Sequence, residues 1–317
     1  CAVTNNAVKK SRQAVRRLQQ EHPGAQVVVT GCAATENLLA NLEGVSRCIA
    51  PRADWMGEFQ DAVKDLLPGE KMERKDDTTD HLRVTGFSVQ TRAFLKIQDG
   101  CNNRCRFCII PSVRGNSRSA SIESILTNIR RLEKRYPEVV LTGINLGRWG
   151  RDLDGRPRLV ALLRRILAET EISKVRLSSI EPMDWTNELL ELMASAHRIA
   201  KHVHIPMQSG SDVILKSMRR RYRNRHYSDR IKRVRQLMST AAIGADVMVG
   251  FPGETDKEFE ETKRFISDLP FTYLHVFTYS ARPGTEAYEM SGHVGSAVKK
   301  ERSHVLRKLA MDKNLSF

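Results

Sequence analysis

"GADVMVGFPGE", Gly244–Glu254, decides the fold. Its apolar run through Val247 and Val249 is short, and Gly250, Pro252 and Gly253 close it. A run of that length ended by turn residues reads as a buried strand leading into a loop. Five more such runs stand before and after it: "AFLKI" from Ala93, "EVVLTGI" from Glu138, "KVRLSSI" from Lys174, "HVHIP" from His202 and "YLHVFTY" from Tyr273. Helix-like stretches separate them at Ser121–Tyr136, Arg158–Glu169, Thr186–Ala196, Ser211–Met238 and Asp256–Leu269. Strands alternating with helices predict an α/β fold with parallel strands covered by helices. Six strands are too few for an eight-stranded barrel. An open doubly wound sheet and a six-unit partial barrel both fit, and periodicity does not choose between them. In either case chemistry is expected at the C-terminal strand ends.

Ahead of this rhythm the pattern differs. Val8–Gly24 reads as a helix with Val8, Ala14, Val15 and Leu18 on one face, stopped by Pro23-Gly24. Val27–Val29 reads as a buried strand ending at Gly31-Cys32, and residues 67–90 turn polar and lose their period, as a linker does. The chain has 317 residues, 40% of them hydrophobic, enough for a sizeable core. No apolar run approaches the roughly 20 residues that span a bilayer, and no signal peptide is visible, so no membrane partner is expected. The balance of 52 basic against 37 acidic residues, +15, favours an anionic partner, RNA or DNA first. Six unevenly clustered cysteines fit a reducing compartment, the cytoplasm, better than a disulfide framework. The first residue is Cys1 rather than methionine, which reads as a fragment or a trimmed N-terminus.

Three of the cysteines fall in "DGCNNRCRFCIIPSVRGNSRS", Asp99–Ser119, spaced C-x3-C-x2-C. A structural zinc site wants four protein ligands, and the local count stops at three. Three thiolates also fit a 4Fe–4S cluster with one iron open to another ligand. This spacing, with Phe107 before the last cysteine, resembles the signature of radical S-adenosylmethionine enzymes. The resemblance implies a partial (β/α)6 barrel with this loop after its first strand. It also implies Cys101, Cys105 and Cys108 as cluster ligands and S-adenosylmethionine at the open iron, where an electron cleaves it to a 5′-deoxyadenosyl radical.

"CAVTNNA" at Cys1 and "VTGCAAT" around Cys32 resemble cysteine motifs of the methylthiotransferase N-terminal domain. That likeness implies an incomplete α/β domain over 1–66, a linker over 67–90, a radical SAM core over 91–290 and a C-terminal helix over 291–317. It implies an auxiliary 4Fe–4S cluster, the second of two, with Cys1 and Cys32 among its ligands. The family's first strand, with its own cysteine, would stand ahead of Cys1, and its small RNA-binding TRAM barrel would follow Phe317. Cys48 matches no family ligand and reads as a small buried hydrophobe. "LTGINLGRWG", "RLSSIEP" and "LHVFTYSARPGT" look most like the type that methylthiolates C2 of N6-threonylcarbamoyladenosine in tRNA. Isopentenyladenosine in tRNA and a ribosomal-protein aspartate are the family's other substrates. Partners implied are tRNA and a reduced donor such as flavodoxin or ferredoxin. A non-enzymatic metal-containing nucleic-acid-binding module is the reading from another class.

The resemblance also suggests who meets the cofactor: Phe107; Gly143 and Asn145 after the second strand; Ser179 and Glu181 after the third; Gln208 after the fourth; Gly250 after the fifth; and Arg219 in "KSMRR". The run Lys216–Arg235 is strongly basic. Arg219, Arg220, Arg221, Arg223 and Arg225 have no acidic residue among them, and Tyr222 offers a stacking platform, which suits an RNA backbone. A solvated helix face is the plainer account. His202 and His204 alternate along a strand and read as packing residues, or as support behind a site, rather than metal ligands.

Overall fold

The computed structural model describes residues 4–35, 39, 41, 42, 44–51, 55–66 and 91–317. The expected linker at 67–90 and Cys1 lie outside the described residues. The chain divides into two compact units. One comprises Cys1–His81, Gly100–Asn116 and Ser280–Tyr288; the other comprises Leu82–Asp99, Ser117–Tyr279 and Glu289–Phe317.

In the first unit, α1 (Asn5–Glu21) starts at Thr4, whose Oγ1 accepts from the Ala7 amide at 3.1 Å. The strands β1 (Val27–Thr30) and β2 (Val45–Ile49) run parallel, with Thr30 opposite Ile49, and α2 (Cys32–Thr35) lies between them in the chain. The helix α3 (Trp55–Leu66) follows. Val8 and Val15 are buried, whereas Ala14 and Leu18 are exposed. At about 100° per residue Val15 stacks over Val8, while Ala14 and Leu18 fall about 120° and 80° away, so the buried stripe is narrower than the sequence suggests. Strand β1 is half-buried rather than buried, and so is Cys48 on β2, a strand the sequence did not announce. The short α4 (Ile110–Arg114) belongs to this unit, and its Ile109 and Val113 join Val8, Cys32, Ala33 and Leu39 in one apolar cluster.

The second unit holds all six strands the sequence predicts: β3 (Arg92–Asp99), β5 (Glu138–Gly143), β6 (Lys174–Leu177), β7 (His202–His204), β8 (Ala242–Val249) and β9 (Tyr273–Thr278). β3–β5–β6 and β7–β8–β9 are parallel ladders. A Val175–Ile199 bridge and the Ile180 amide donating to the His204 carbonyl (3.1 Å) carry the sheet from β6 to β7. A two-residue β4 (Arg118–Ser119) adds antiparallel to the outer edge of β3. The six strands therefore follow chain order without reversal. A doubly wound sheet reverses its order at a switch point, with helices on both faces; unreversed order sends every crossover over one face and curls the sheet into a half-barrel.

The crossovers are α5 (Ile122–Leu132), α6 (Leu159–Glu169), α7 (Asn187–Ser195), α8 (Asp212–Ser217) with α9 (Asn224–Leu237), and α10 (Asp256–Asp268). A last helix, α11 (Ser296–Leu315), packs on β9. Burial along the strands alternates accordingly. Ala93, Leu95 and Ile97 of β3 and Ile243, Ala245, Val247 and Val249 of β8 join Ile125, Ile129, Leu163, Ile231 and Ile266 in one core. Phe94, Lys96, Asp246 and Met248 turn to the uncovered face.

The single helix expected over Ser211–Met238 is broken between α8 and α9, where Arg219 takes φ 59°. No glycine or proline marks the break. Tertiary contacts impose it: Tyr222 is buried with its hydroxyl donating to the Met207 carbonyl at 2.6 Å, and the Asn224 amide donates to Asp212 Oδ1 at 2.7 Å.

Candidate active site

The cysteine loop leaves the chain's first barrel strand at Gly100. Its φ is 70°, and a Cβ there would meet the Asn116 carbonyl oxygen at 2.0 Å, so only glycine makes this turn. The Cys101 amide donates to the Gly115 carbonyl (3.1 Å), and the Cys108 amide to that of Cys105 (3.0 Å). α4, anchored by fully buried Val113, closes the loop. Beyond it, the Ala287 amide donates to the Arg106 carbonyl at 2.9 Å, and Arg106 pairs with Glu286. Cys101, Cys105 and Cys108 are half-buried, as is Phe107.

Among the described residues, the one trio of histidine, cysteine or carboxylate side chains with ligand atoms all within 4.8 Å is His204, Asp246 and His275. Three cysteine thiols within one short loop are a donor set that suits an iron–sulfur cluster. Buried Cys32 opens α2, and its Sγ accepts from Arg114 Nε at 3.1 Å. The sequence joins Cys32 to nothing in the loop; the structure puts it in the same apolar cluster as Ile109 and Val113.

Apart from Arg219, at the break between α8 and α9, the other proposed residues lie at or just beyond the carboxyl ends of the barrel strands. Gly143 ends β5, and a Cβ on it would press on the Gln98 side chain. Gln98 is buried: its Oε1 accepts from the Asn145 amide at 2.7 Å, and its Nε2 donates to the Asp99 carbonyl and to Ser117 Oγ, both at 2.9 Å. One glutamine thus ties the β3 and β5 ends together. The sequence reading missed it, although a polar residue at the end of "AFLKIQDG" was the available signal.

Ser179 is half-buried after β6, and Glu181 stands just before a short 3-10 turn at Pro182–Asp184. Glu181 pairs with Arg220, whose side chain is only 4% exposed and whose guanidinium lies over the Tyr222 ring at 5.1 Å. The basic run is thus not without acid partners, as the sequence suggested, and Tyr222 is core rather than a stacking platform. Both follow from the helix break, which folds residues 220 and 222 inward. Arg219, Arg221, Arg223 and Arg225 stay exposed.

Gln208 takes φ 64° after β7 and extends the ladder: its amide donates to the Asp246 carbonyl, and its carbonyl accepts from the Met248 amide, each at 2.8 Å. Ser209 and Gly210 turn the other way, against Thr262 of α10. At Gly250, φ is 75° and the amide donates to Glu254 Oε1 at 2.8 Å. That buried carboxylate also accepts from Arg302 Nη1 of α11 at 2.7 Å. Burial pushes the Glu254 carboxyl up, with the Gly250 amide and Arg302 offsetting only part of it. The "GFPGE" turn is held from behind by the C-terminal helix.

Residues 95–266 match the Radical SAM superfamily. Over 311 residues the chain is 37% identical to the threonylcarbamoyladenosine tRNA methylthiotransferase MtaB of Rickettsia prowazekii (strain Madrid E), covering 97% of this chain and 73% of that protein. It is 36% identical over 326 residues to the tRNA-2-methylthio-N(6)-dimethylallyladenosine synthase of Syntrophobacter fumaroxidans (strain DSM 10017 / MPOB), covering 98% and 71%. Among solved structures, the fold is similar to the radical S-adenosylmethionine methyltransferase TsrM from Kitasatospora setae, with cobalamin and a 4Fe–4S cluster bound. That likeness has a TM-score of 0.65 at 15% identity, over 89% of this chain and 62% of that one.

Proposed function

Because the chain belongs to the radical SAM superfamily, and to the methylthiotransferases it matches along almost its whole length, we propose that it methylthiolates C2 of N6-threonylcarbamoyladenosine in tRNA. The observation that carries the reading is the thiol-only loop Cys101, Cys105, Cys108, placed straight after the first strand of an unreversed six-strand half-barrel.

Cys101, Cys105 and Cys108 hold a 4Fe–4S cluster. When bound, that cluster supplies the electron that cleaves S-adenosylmethionine and so starts radical chemistry. Gly143 and Asn145 receive the amino group of S-adenosylmethionine, and Gln98 sets the Asn145 backbone. Glu181, oriented by Arg220, and Ser179 contact the cofactor. Arg219 takes the carboxylate, Gln208 the ribose or the carboxylate, and Gly250 lets the backbone approach the adenine, with Phe107 within the cysteine loop. Radical hydrogen abstraction needs no general base, so these residues bind, orient and exclude water. Cys32, with Cys1, ligates a second 4Fe–4S cluster. Exposed Arg221, Arg223 and Arg225 contact tRNA phosphates. A reduced flavodoxin or ferredoxin supplies electrons, in the cytoplasm. No described helix is long and apolar enough to cross a membrane.

The relative that modifies dimethylallyladenosine is nearly as similar as the first, so overall identity does not separate the two bases. Gly143-Ile144-Asn145 after β5 favours the threonylcarbamoyl type, since the isopentenyl type usually carries Gln-Asn-Val there. Nucleoside mass spectrometry of tRNA from cells with and without the gene decides. Loss of 2-methylthio-N6-threonylcarbamoyladenosine alone supports the reading. Loss of the dimethylallyl product instead, or no change, overturns it.

A further inference from the structure

The uncovered face of the half-barrel carries a polar chain that the proposed reaction does not use. His202 and His204 of β7, Asp246 of β8, and Tyr273 and His275 of β9 all turn to this face. Asp246 and His275 are opposite one another in the ladder, and His204 is opposite Gly244. A Cβ on Gly244 would come within 1.9 Å of Tyr273 Cζ and displace the ring. The room the glycine leaves lets Tyr273 sit between the two histidines, its hydroxyl 2.7 Å from His202 Nε2 and 3.0 Å from His204 Nδ1.

His204 Nε2 is buried and lies 3.2 Å from Asp246 Oδ1. His275 Nδ1 is also 3.2 Å from that oxygen. One ligand atom from each of the three lies within 4.8 Å of the others, so two ring nitrogens and a carboxylate oxygen converge where a single ion fits.

We propose that His204, Asp246 and His275 bind a divalent transition-metal ion, with no cysteine among its ligands. Two imidazoles and one carboxylate on one face suit Zn2+, Fe2+ or Co2+ and leave a coordination position open. Tyr273 fixes the His204 ring from the far side, as partners behind a ligating histidine do. The sequence hides this set because its members lie on three separate strands, and the histidines alone read as packing.

The test uses Zn2+ alone, on the full chain with its iron–sulfur sites reconstituted. Zinc per chain after dialysis, and its affinity, are compared in wild type, Asp246→Asn, exposed His275→Ala and Tyr273→Phe. The first two should lose one equivalent, and Tyr273→Phe should bind roughly 10–100-fold more weakly. Zinc held by stray thiols is common to all four and cancels. X-ray absorption on the wild type needs no variant to fold: a nitrogen and oxygen shell near ~2.0–2.1 Å supports the site. A shell of sulfur alone, or equal zinc in wild type and variants, overturns it.

Discussion

Glu181 and Arg220 form an ion pair between the end of the third barrel strand and the break in a crossover helix, and the Arg220 side chain is 4% exposed. Its neighbour Arg219 turns out to solvent at φ 59°. Two adjacent arginines therefore have separable roles. Arg220→Ala leaves Glu181 without its charged donor and should lower the unfolding free energy by about 1–3 kcal/mol. Arg219→Ala, at an exposed side chain, should lower it by less, yet weaken S-adenosylmethionine binding. Urea midpoints and calorimetric binding on both variants check this. Equal stability losses would contradict the assignment.

Gln98 makes three hydrogen bonds from a buried position. Gln98→Leu keeps the bulk and strands buried partners, at a cost of about 1–3 kcal/mol. It should also raise the Kd for S-adenosylmethionine, because the Asn145 backbone loses its support. Unchanged affinity in a folded variant would remove Gln98 from the site.

His202 predicts a pH dependence. Its value is about 4 folded against 6.5 free, so between those values the unfolded chain binds the extra proton. The contribution is fully present above pH 6.5 and is lost as pH falls towards 4. Discounted for partial exposure, it amounts to about 1–3 kcal/mol. Stability measured from pH 7 to 4 should fall less steeply in His202→Asn than in wild type. Parallel curves would show the histidine titrating normally.

Arg221, Arg223 and Arg225 are exposed on the break before and the start of α9. Changing all three to Ala should weaken tRNA binding and reduce the slope of log K against log salt by about 2–3, near one released counterion per contact. A slope that does not move would leave the run as a solvated face.

The six barrel strands were legible because each is a short apolar run closed by turn residues, and short runs with long intervening helices admit little else. The curl was not, since strand order decides it and order is a tertiary fact. The Ser211–Met238 segment misled because its local pattern is helical throughout, while the pull of Tyr222 into the core comes from Pro206 and Met207. The cysteines announced themselves by spacing. Gln98, Arg220 and the His204–Asp246–His275 set did not, because each is defined by a partner distant in the chain. Pairings across parallel strands leave no mark in local sequence.

The central claim is that the thiols of Cys101, Cys105 and Cys108 together support methylthiolation of a tRNA base. The most direct measurement returns the gene to cells lacking it, as wild type or as Cys101→Ala, Cys105→Ala or Cys108→Ala, and reads the tRNA nucleosides by mass spectrometry. Wild type should restore 2-methylthio-N6-threonylcarbamoyladenosine and none of the three variants should, with each protein present at a similar level. Restoration by any one of them would contradict the claim.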